Sequence, residues 1–83
     1  MAHQILVIED EDVIRETIVE LLVADQLDPI QADNGEQGIT LAISKQPQLI
    51  ICDILMSDIS GYQVLEELRN RPETRFIPFI FLT

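Results

Sequence analysis

Short apolar runs constrain the fold of this 83-residue chain more than any other feature of its sequence. Three runs are continuous or nearly so: Ile5–Ile8, Leu49–Cys52 and Phe76–Thr83. A strand with one solvated face alternates apolar and polar residues, whereas a strand buried on both faces does not. The sequence therefore predicts parallel strands that are covered on both faces.

Segments with helical periodicity separate these runs. Three are predicted as helices: residues 13–24, 36–46 and 60–70. We expect Asp12 to be the N-cap of the first helix, because its carboxylate can accept a bond from the first turn. The Asn34-Gly35 pair predicts a turn before the second helix. Ser60 and Gln63 have the spacing of a capping box at the start of the third.

A weaker strand candidate, Asp28–Ala32, lies between the first two helices. Pro29 lacks an N–H for a sheet ladder, so we expect this strand at an edge. The element order is then β-α-β-α-β-α-β. Strands that alternate with helices predict the α/β class, with a doubly wound parallel sheet in one small domain over residues 1–83.

The charge of the chain is strongly acidic and unevenly distributed. Fifteen acids face five bases, for a formal net charge of −10. Residues 1–36 contain ten of the acids and a single base, Arg15. This balance argues against direct binding to nucleic acid and against an anionic membrane surface, since both require a basic footprint. It favours a cation site or a basic protein partner.

The chain shows no sign of an oxidising compartment or of a membrane segment. Its single cysteine, Cys52, cannot form an internal disulfide. Its longest uninterrupted apolar runs contain four residues, whereas a membrane-spanning helix needs about 20. We therefore expect a cytoplasmic protein, with Cys52 as a small buried hydrophobic residue.

Polar residues follow the apolar runs at the points where the predicted strands end. Glu9 and Asp10 follow the first run, Asp53 follows Leu49–Cys52, and Thr83 follows the last. Ligands of open parallel sheets bind beyond the carboxyl ends of the strands. Clustered carboxylates repel one another and favour a cation, and oxygen ligands suit Mg²⁺. A carboxylate beside Mg²⁺ can attack a phosphoryl group.

The ordered set of motifs resembles the receiver domain of response regulators in two-component systems. The matching segments are Ile5–Glu11, Ala32–Glu36, Leu49–Met56, Gly61–Tyr62 and Ile77–Thr83. They cover essentially the whole chain at the spacing of that family. The resemblance implies a flavodoxin-like fold in signal transduction. A complete receiver continues with a helix, a fifth strand and a final helix, so we expect residues 1–83 to be the N-terminal two thirds of one.

The resemblance also implies roles for individual residues. Asp53 would be the phosphoacceptor that becomes an aspartyl phosphate. Asp10, Asp53 and the backbone carbonyl of Leu55 would ligate Mg²⁺, and Glu9 would act through a metal-bound water. Thr83 would be the switch hydroxyl. The donor would be a phosphohistidine of a sensor histidine kinase or histidine phosphotransfer protein. Such a domain catalyses its own phosphorylation at most and is not an enzyme with an outside product.

The sequence departs from the family pattern at several positions. Glu9 replaces the commoner aspartate, Ser57 stands where a proline usually follows the methionine, and Ser60 replaces an acidic or amide residue. We interpret Ser57 and Ser60 as loop variation with little bearing on the chemistry. The family's phosphoryl-contacting lysine belongs to the part after Thr83. We expect that Lys45, at the far end of the second helix, does not replace it.

Two alternatives stay open. In the first, the truncated receiver is an interaction or assembly module with weak or no phosphorylation, and it self-associates through an exposed strand, Phe76–Leu82. In the second and remoter one, Leu6–Asp12 resembles the Asp-x-Asp motif of haloacid-dehalogenase-type phosphatases, with Asp10 as the nucleophile. The second alternative leaves Asp53 unexplained.

Overall fold

The structure, a computed structural model, describes residues 3–82. Its strands are β1 (Gln4–Ile8), β2 (Asp28–Ala32), β3 (Leu49–Asp53) and β4 (Phe79–Leu82). Its helices are α1 (Asp12–Ala24), α2 (Gly35–Lys45) and α3 (Gly61–Arg69). The four strands are parallel and lie in the order β2-β1-β3-β4. This arrangement confirms the predicted α/β fold, with β2 at one edge and β1 and β3 in the interior of the sheet.

The core forms around the two interior strands. Leu6 and Ile8 of β1 pack with α2 and α3 residues such as Ile39 and Val64. Ile5 and Val7 alternate with them, so their side chains point to the opposite face, where they are also buried. Helix α1 packs against β1 and β2 and accounts for that second covered face. Burial on both faces is the reason that β1 is entirely apolar from Ile5 to Ile8.

The start of α1 differs from the prediction. Glu11, not Asp12, is the N-cap, and its side chain makes no capping bond. Asp12 is the first helical residue, and its carboxylate accepts a hydrogen bond of 2.7 Å from the Arg15 guanidinium one turn later. The charged partner therefore takes the oxygen that would otherwise cap the helix.

The starts of the other two helices agree with the sequence. The Asn34 side chain accepts a bond of 2.8 Å from the Gln37 N–H and caps α2. Ser60 and Gln63 form the predicted capping box of α3, with both reciprocal bonds present. These local sequence patterns are informative because each capping side chain accepts a bond from a helix N–H that would otherwise lack a partner.

The last strand is shorter than predicted. It begins at Phe79 rather than Phe76, and residues 71–77 form turns instead. The guanidinium of Arg69 donates to the carbonyls of Arg75 and Ile77 within this segment. Phe76, in the same segment, is 87% exposed. No helix within residues 3–82 is long and apolar enough to cross a membrane.

Candidate functional site

The pairing of β1 with β3 brings the predicted acidic residues together. Ile8 pairs with Cys52, so Glu9 and Asp53 follow at matching positions on neighbouring strands. One carboxylate oxygen from each of Glu9, Asp10 and Asp53 lies within 4.8 Å of the other two. The carboxyl ends of parallel strands meet at the same edge of the sheet, which is where the sequence predicted this cluster.

Glu9 is the most buried member of the cluster, with 2% of its surface exposed. Its carboxylate accepts a hydrogen bond of 3.0 Å from the Glu11 N–H. Burial raises the pKa of Glu9. The Glu11 N–H opposes this shift, and the nearby carboxylates of Asp53 and Asp10 add to it. Negative charge is therefore unfavourable here without a cation, and a bound divalent ion would offset both burial and repulsion.

Each of the other two carboxylates is oriented by a backbone amide. Asp53 Oδ1 accepts a bond of 2.9 Å from the Ile54 N–H. Asp10 Oδ2 accepts a bond of 3.1 Å from the Ser57 N–H. One oxygen of each carboxylate is thus held, and the other stays available to a ligand. Three clustered carboxylates with no sulfur or imidazole donor are a set that fits Mg²⁺.

Arg15 connects Glu9, the residue after β1, to the start of α1 and to β2, and the sequence did not reveal these contacts. Its guanidinium donates to the Glu9 carbonyl at 2.8 Å, to Asp12 at 2.7 Å and to the Gln31 side chain at 3.2 Å. Only 12% of its side chain is exposed. The available signal was compositional, since Arg15 is the single base among the first 36 residues.

The loop between β3 and α3, residues 54–60, is fixed at its end and near its middle. The Gly61 N–H donates to the Ile54 carbonyl at 2.8 Å and closes the loop. The two oxygens of Asp58 accept bonds from the Gly35 N–H at 3.0 Å and the Glu36 N–H at 2.9 Å. The phosphoacceptor candidate Asp53 is therefore followed by a loop tied to the start of α2.

Asp58 responds electrostatically to its position at the start of α2. Desolvation acts to raise the pKa of Asp58, but backbone N–H groups, led by those of Gly35 and Glu36, outweigh it and hold the pKa below its ordinary value. The carboxylate also faces the positive end of the helix dipole. The role of Asp58 is not visible in the sequence, because its donors lie more than 20 positions away along the chain.

The remaining predicted residues have different outcomes. Leu55 lies in the same loop with its side chain 81% exposed, and the role of its carbonyl as a ligand stays a prediction. Thr83 lies outside the described residues. Lys45 ends α2, whereas the start of that helix adjoins the site, so it lies at the far end as expected. Cys52 is fully buried, and burial raises its pKa to about 12, as suits a packing residue rather than a nucleophile.

The chain is similar to known regulators over its full length. The sequence model described as "Response regulator receiver domain" matches residues 5–83. The chain is 34% identical over 83 residues to the phosphate regulon transcriptional regulatory protein PhoB of Escherichia coli, covering all of this chain and 36% of PhoB. It thus spans about a third of the length of this curated relative.

Solved structures share the fold closely. The N-terminal domain of a response regulator receiver protein from Methanoculleus marisnigri superposes with a TM-score of 0.95 at 32% identity. The receiver domain of sensor histidine kinase PA1611 from Pseudomonas aeruginosa, with a magnesium ion coordinated in its active site cleft, gives 0.96 at 25% identity. Each match covers 100% of this chain and 68% of the solved one.

Proposed function

We propose, since this chain belongs to the response regulator receiver domain family, that Asp53 accepts a phosphoryl group from a phosphohistidine. One observation carries the proposal: oxygens of Glu9, Asp10 and Asp53 lie within 4.8 Å of one another at the carboxyl ends of β1 and β3. The donor is a sensor histidine kinase or a histidine phosphotransfer protein. The product is a phosphorylated signalling surface, and no outside substrate is turned over.

The reaction is a displacement at phosphorus. An Asp53 carboxylate oxygen forms the new P–O bond while the P–N bond to the donor imidazole breaks. The imidazole leaves with the electron pair of that bond and takes up a proton. The Ile54 N–H donates to Asp53 Oδ1 and orients the carboxylate. One of its two oxygens would attack phosphorus, and the other would contact the cation. Asp53 lies at the end of an interior strand, which limits its movement and favours a fixed line of approach.

The proposed metal ligands are the carboxylates of Asp10 and Asp53 and the Leu55 carbonyl, with Glu9 acting through a water. Mg²⁺ bound there would neutralise charge on the transferring phosphoryl group. The raised pKa of Glu9 supports a cation site, because burial and repulsion both penalise a bare carboxylate. The magnesium ion in the PA1611 receiver supports the choice of metal. Thr83 is proposed to hydrogen-bond the phosphoryl group.

Intact-mass spectrometry tests the proposal. The chain is treated with phosphoramidate, whose P–N bond resembles that of phosphohistidine, with and without Mg²⁺. We expect a Mg²⁺-dependent gain of one phosphoryl group that Asp53→Asn abolishes and the exposed control Asp28→Asn retains. Stable labelling of Asp53→Asn would overturn the assignment. Labelling that moves to Asp10 would favour the phosphatase alternative.

A second candidate is an assembly module that associates through its last strand. Two exposed apolar side chains favour it: Ile80 of β4 is 51% exposed, and Phe76, in the turn before β4, is 87% exposed. Strand β4 is also an edge of the sheet within residues 3–82. In this alternative phosphorylation is weak or lost, and the contact between chains is the function. Cytoplasmic location and the absence of direct nucleic-acid binding remain predictions, supported by the net charge of −10.

A further inference from the structure

The backbone amide of Ser57 contacts a carboxylate of the candidate metal site. It donates to Asp10 Oδ2 at 3.1 Å, across 47 positions of sequence. We propose that this amide is a positioning group, which holds one oxygen of Asp10 so that the other is presented to the cation. The inference rests on the cation site of the proposed function. It changes the interpretation of Ser57, which the sequence alone presented as loop variation.

The identity of residue 57 matters because the contact uses its N–H. A proline at this position, the residue usual in the family pattern, has no N–H and cannot make the bond. Among residues 3–82 the Ser57 hydroxyl makes no hydrogen bond, so its side chain is not part of the contact. The chain therefore gains a donor to Asp10 from the backbone of a residue whose side chain is dispensable.

The amide is well placed to act as a fixed donor. A peptide N–H cannot rotate independently of the chain, and the chain on its C-terminal side is anchored at once by Asp58. That carboxylate accepts from both the Gly35 and Glu36 N–H groups at the start of α2. The bond from Gly61 N–H to the Ile54 carbonyl closes the same loop. The contacts form a continuous path from α2 through the loop to Asp10.

Donors of this kind influence metal binding because they orient the ligand before the ion arrives. Loss of an outer hydrogen bond to a metal ligand typically weakens metal affinity by about 10–100-fold. A bond to an ionised carboxylate is also stronger than one between neutral groups. If the contact only supported the loop, its loss would lower the melting temperature and leave the affinity of the folded protein for Mg²⁺ unchanged.

Calorimetric titration with Mg²⁺ tests the proposal on the full chain and two substitutions at one position. Ser57→Ala keeps the N–H and is expected to bind Mg²⁺ within about twofold of the parent. Ser57→Pro removes it and is expected to bind about 10-fold more weakly. Equal affinities of the two variants would overturn the proposal. Absence of binding to the parent would instead remove the cation site, and with it the proposed function.

Amide hydrogen exchange gives a second test that does not depend on the folding of Ser57→Pro. Without metal, the Ser57 N–H is expected to exchange slowly in the parent and faster in Asp10→Ala, which removes its acceptor. Glu11→Ala is the control, since it deletes an exposed neighbouring carboxylate with no role in the contact. Unchanged exchange in Asp10→Ala would overturn the hydrogen bond itself.

A matched pair of variants tests whether Asp58 anchors the loop that carries the Ser57 amide. Asp58→Asn and Glu36→Gln each remove one negative charge at the start of α2, but only Asp58 accepts the two backbone bonds. We expect Asp58→Asn to weaken Mg²⁺ binding several-fold and Glu36→Gln to change it less than twofold. Equal losses in the two variants would show that charge alone is responsible and would overturn the role of Asp58.

Discussion

Two carboxylates at the residue scale show how position decides the behaviour of an acid. Burial and neighbouring acids raise the pKa of Glu9. Backbone donors at the start of α2 lower that of Asp58, although desolvation opposes them. Both residues lie near the same edge of the sheet. Glu9 would be stabilised by a cation, whereas Asp58 already accepts bonds from the Gly35 and Glu36 N–H groups. Composition alone could not distinguish them.

Asp58 leads to a prediction about acid stability. Its carboxylate form is favoured in the folded protein, so its contribution is complete above the ordinary pKa and is lost as pH falls through the lowered one. We expect Asp58→Asn to reduce the free energy of unfolding near neutral pH and to flatten its decline below about pH 4. Urea unfolding at several pH values measures this, with Glu36→Gln as control. An equally steep acid decline in Asp58→Asn would contradict the prediction.

At the element scale, the site depends on the close approach of α3 to the end of β3. Gly61 begins α3, and a Cβ at this residue would lie 2.3 Å from the Asp53 carbonyl oxygen. The backbone of Asp53 and of the loop after it can therefore approach α3 only because residue 61 has no side chain. Gly61 belongs to a motif that is visible in the sequence, but the contact that requires glycine is visible only in the structure.

Gly61→Ala is predicted to destabilise the fold and to disturb the site. Alanine would improve helix propensity by about 1 kcal/mol, but the clash is with backbone, which cannot move aside as a side-chain end can. Overpacking of this kind costs typically 1–3 kcal/mol, so we expect a net loss of stability. Chemical denaturation measures it. Gly38→Ala is the comparison, because its contacts are with the Ile8 side chain. A Gly61→Ala protein as stable as the parent would exclude the close approach.

At the scale of the whole molecule, net charge and exposed apolar surface have opposite effects on association between copies of the chain. A net charge of −10 keeps copies of the chain apart. Strand β4 is an edge of the sheet within residues 3–82, and α1 has no buried residue, with Leu21 65% exposed. Exposed strand edges with apolar side chains favour pairing with another chain. Screening of the charge by salt should shift this balance towards association.

Association of the 83-residue chain is therefore predicted to increase with salt concentration and to depend on β4. Ile80→Lys places a charge on the exposed edge strand and is expected to reduce association. Thr40→Lys adds the same charge on an exposed position of α2 and serves as the control. Sedimentation velocity at two salt concentrations measures the effect. A chain that stays monomeric throughout would remove the assembly alternative.

Features of this protein that depend on neighbours along the chain could be predicted from its amino-acid sequence. The apolar runs of β1 and β3, the turn at Asn34-Gly35, the capping box at Ser60 and the acids that end the strands could all be predicted. The runs reflect burial on both faces, and the capping box reflects a donor within one helical turn. The acids could be placed because they directly follow the apolar runs. The ordered family motifs also identified Asp53 as the candidate phosphoacceptor.

Contacts that join distant segments became visible only in the folded structure. It tied Arg15 to the end of β1, Asp58 to the start of α2 and the Ser57 amide to Asp10. It also placed the start of β4 at Phe79, after a turn whose carbonyls accept bonds from Arg69. Periodicity reports which faces are buried. The pairing of a donor with a distant oxygen depends on how the helices pack on the sheet. That packing cannot be predicted from any short segment of the sequence.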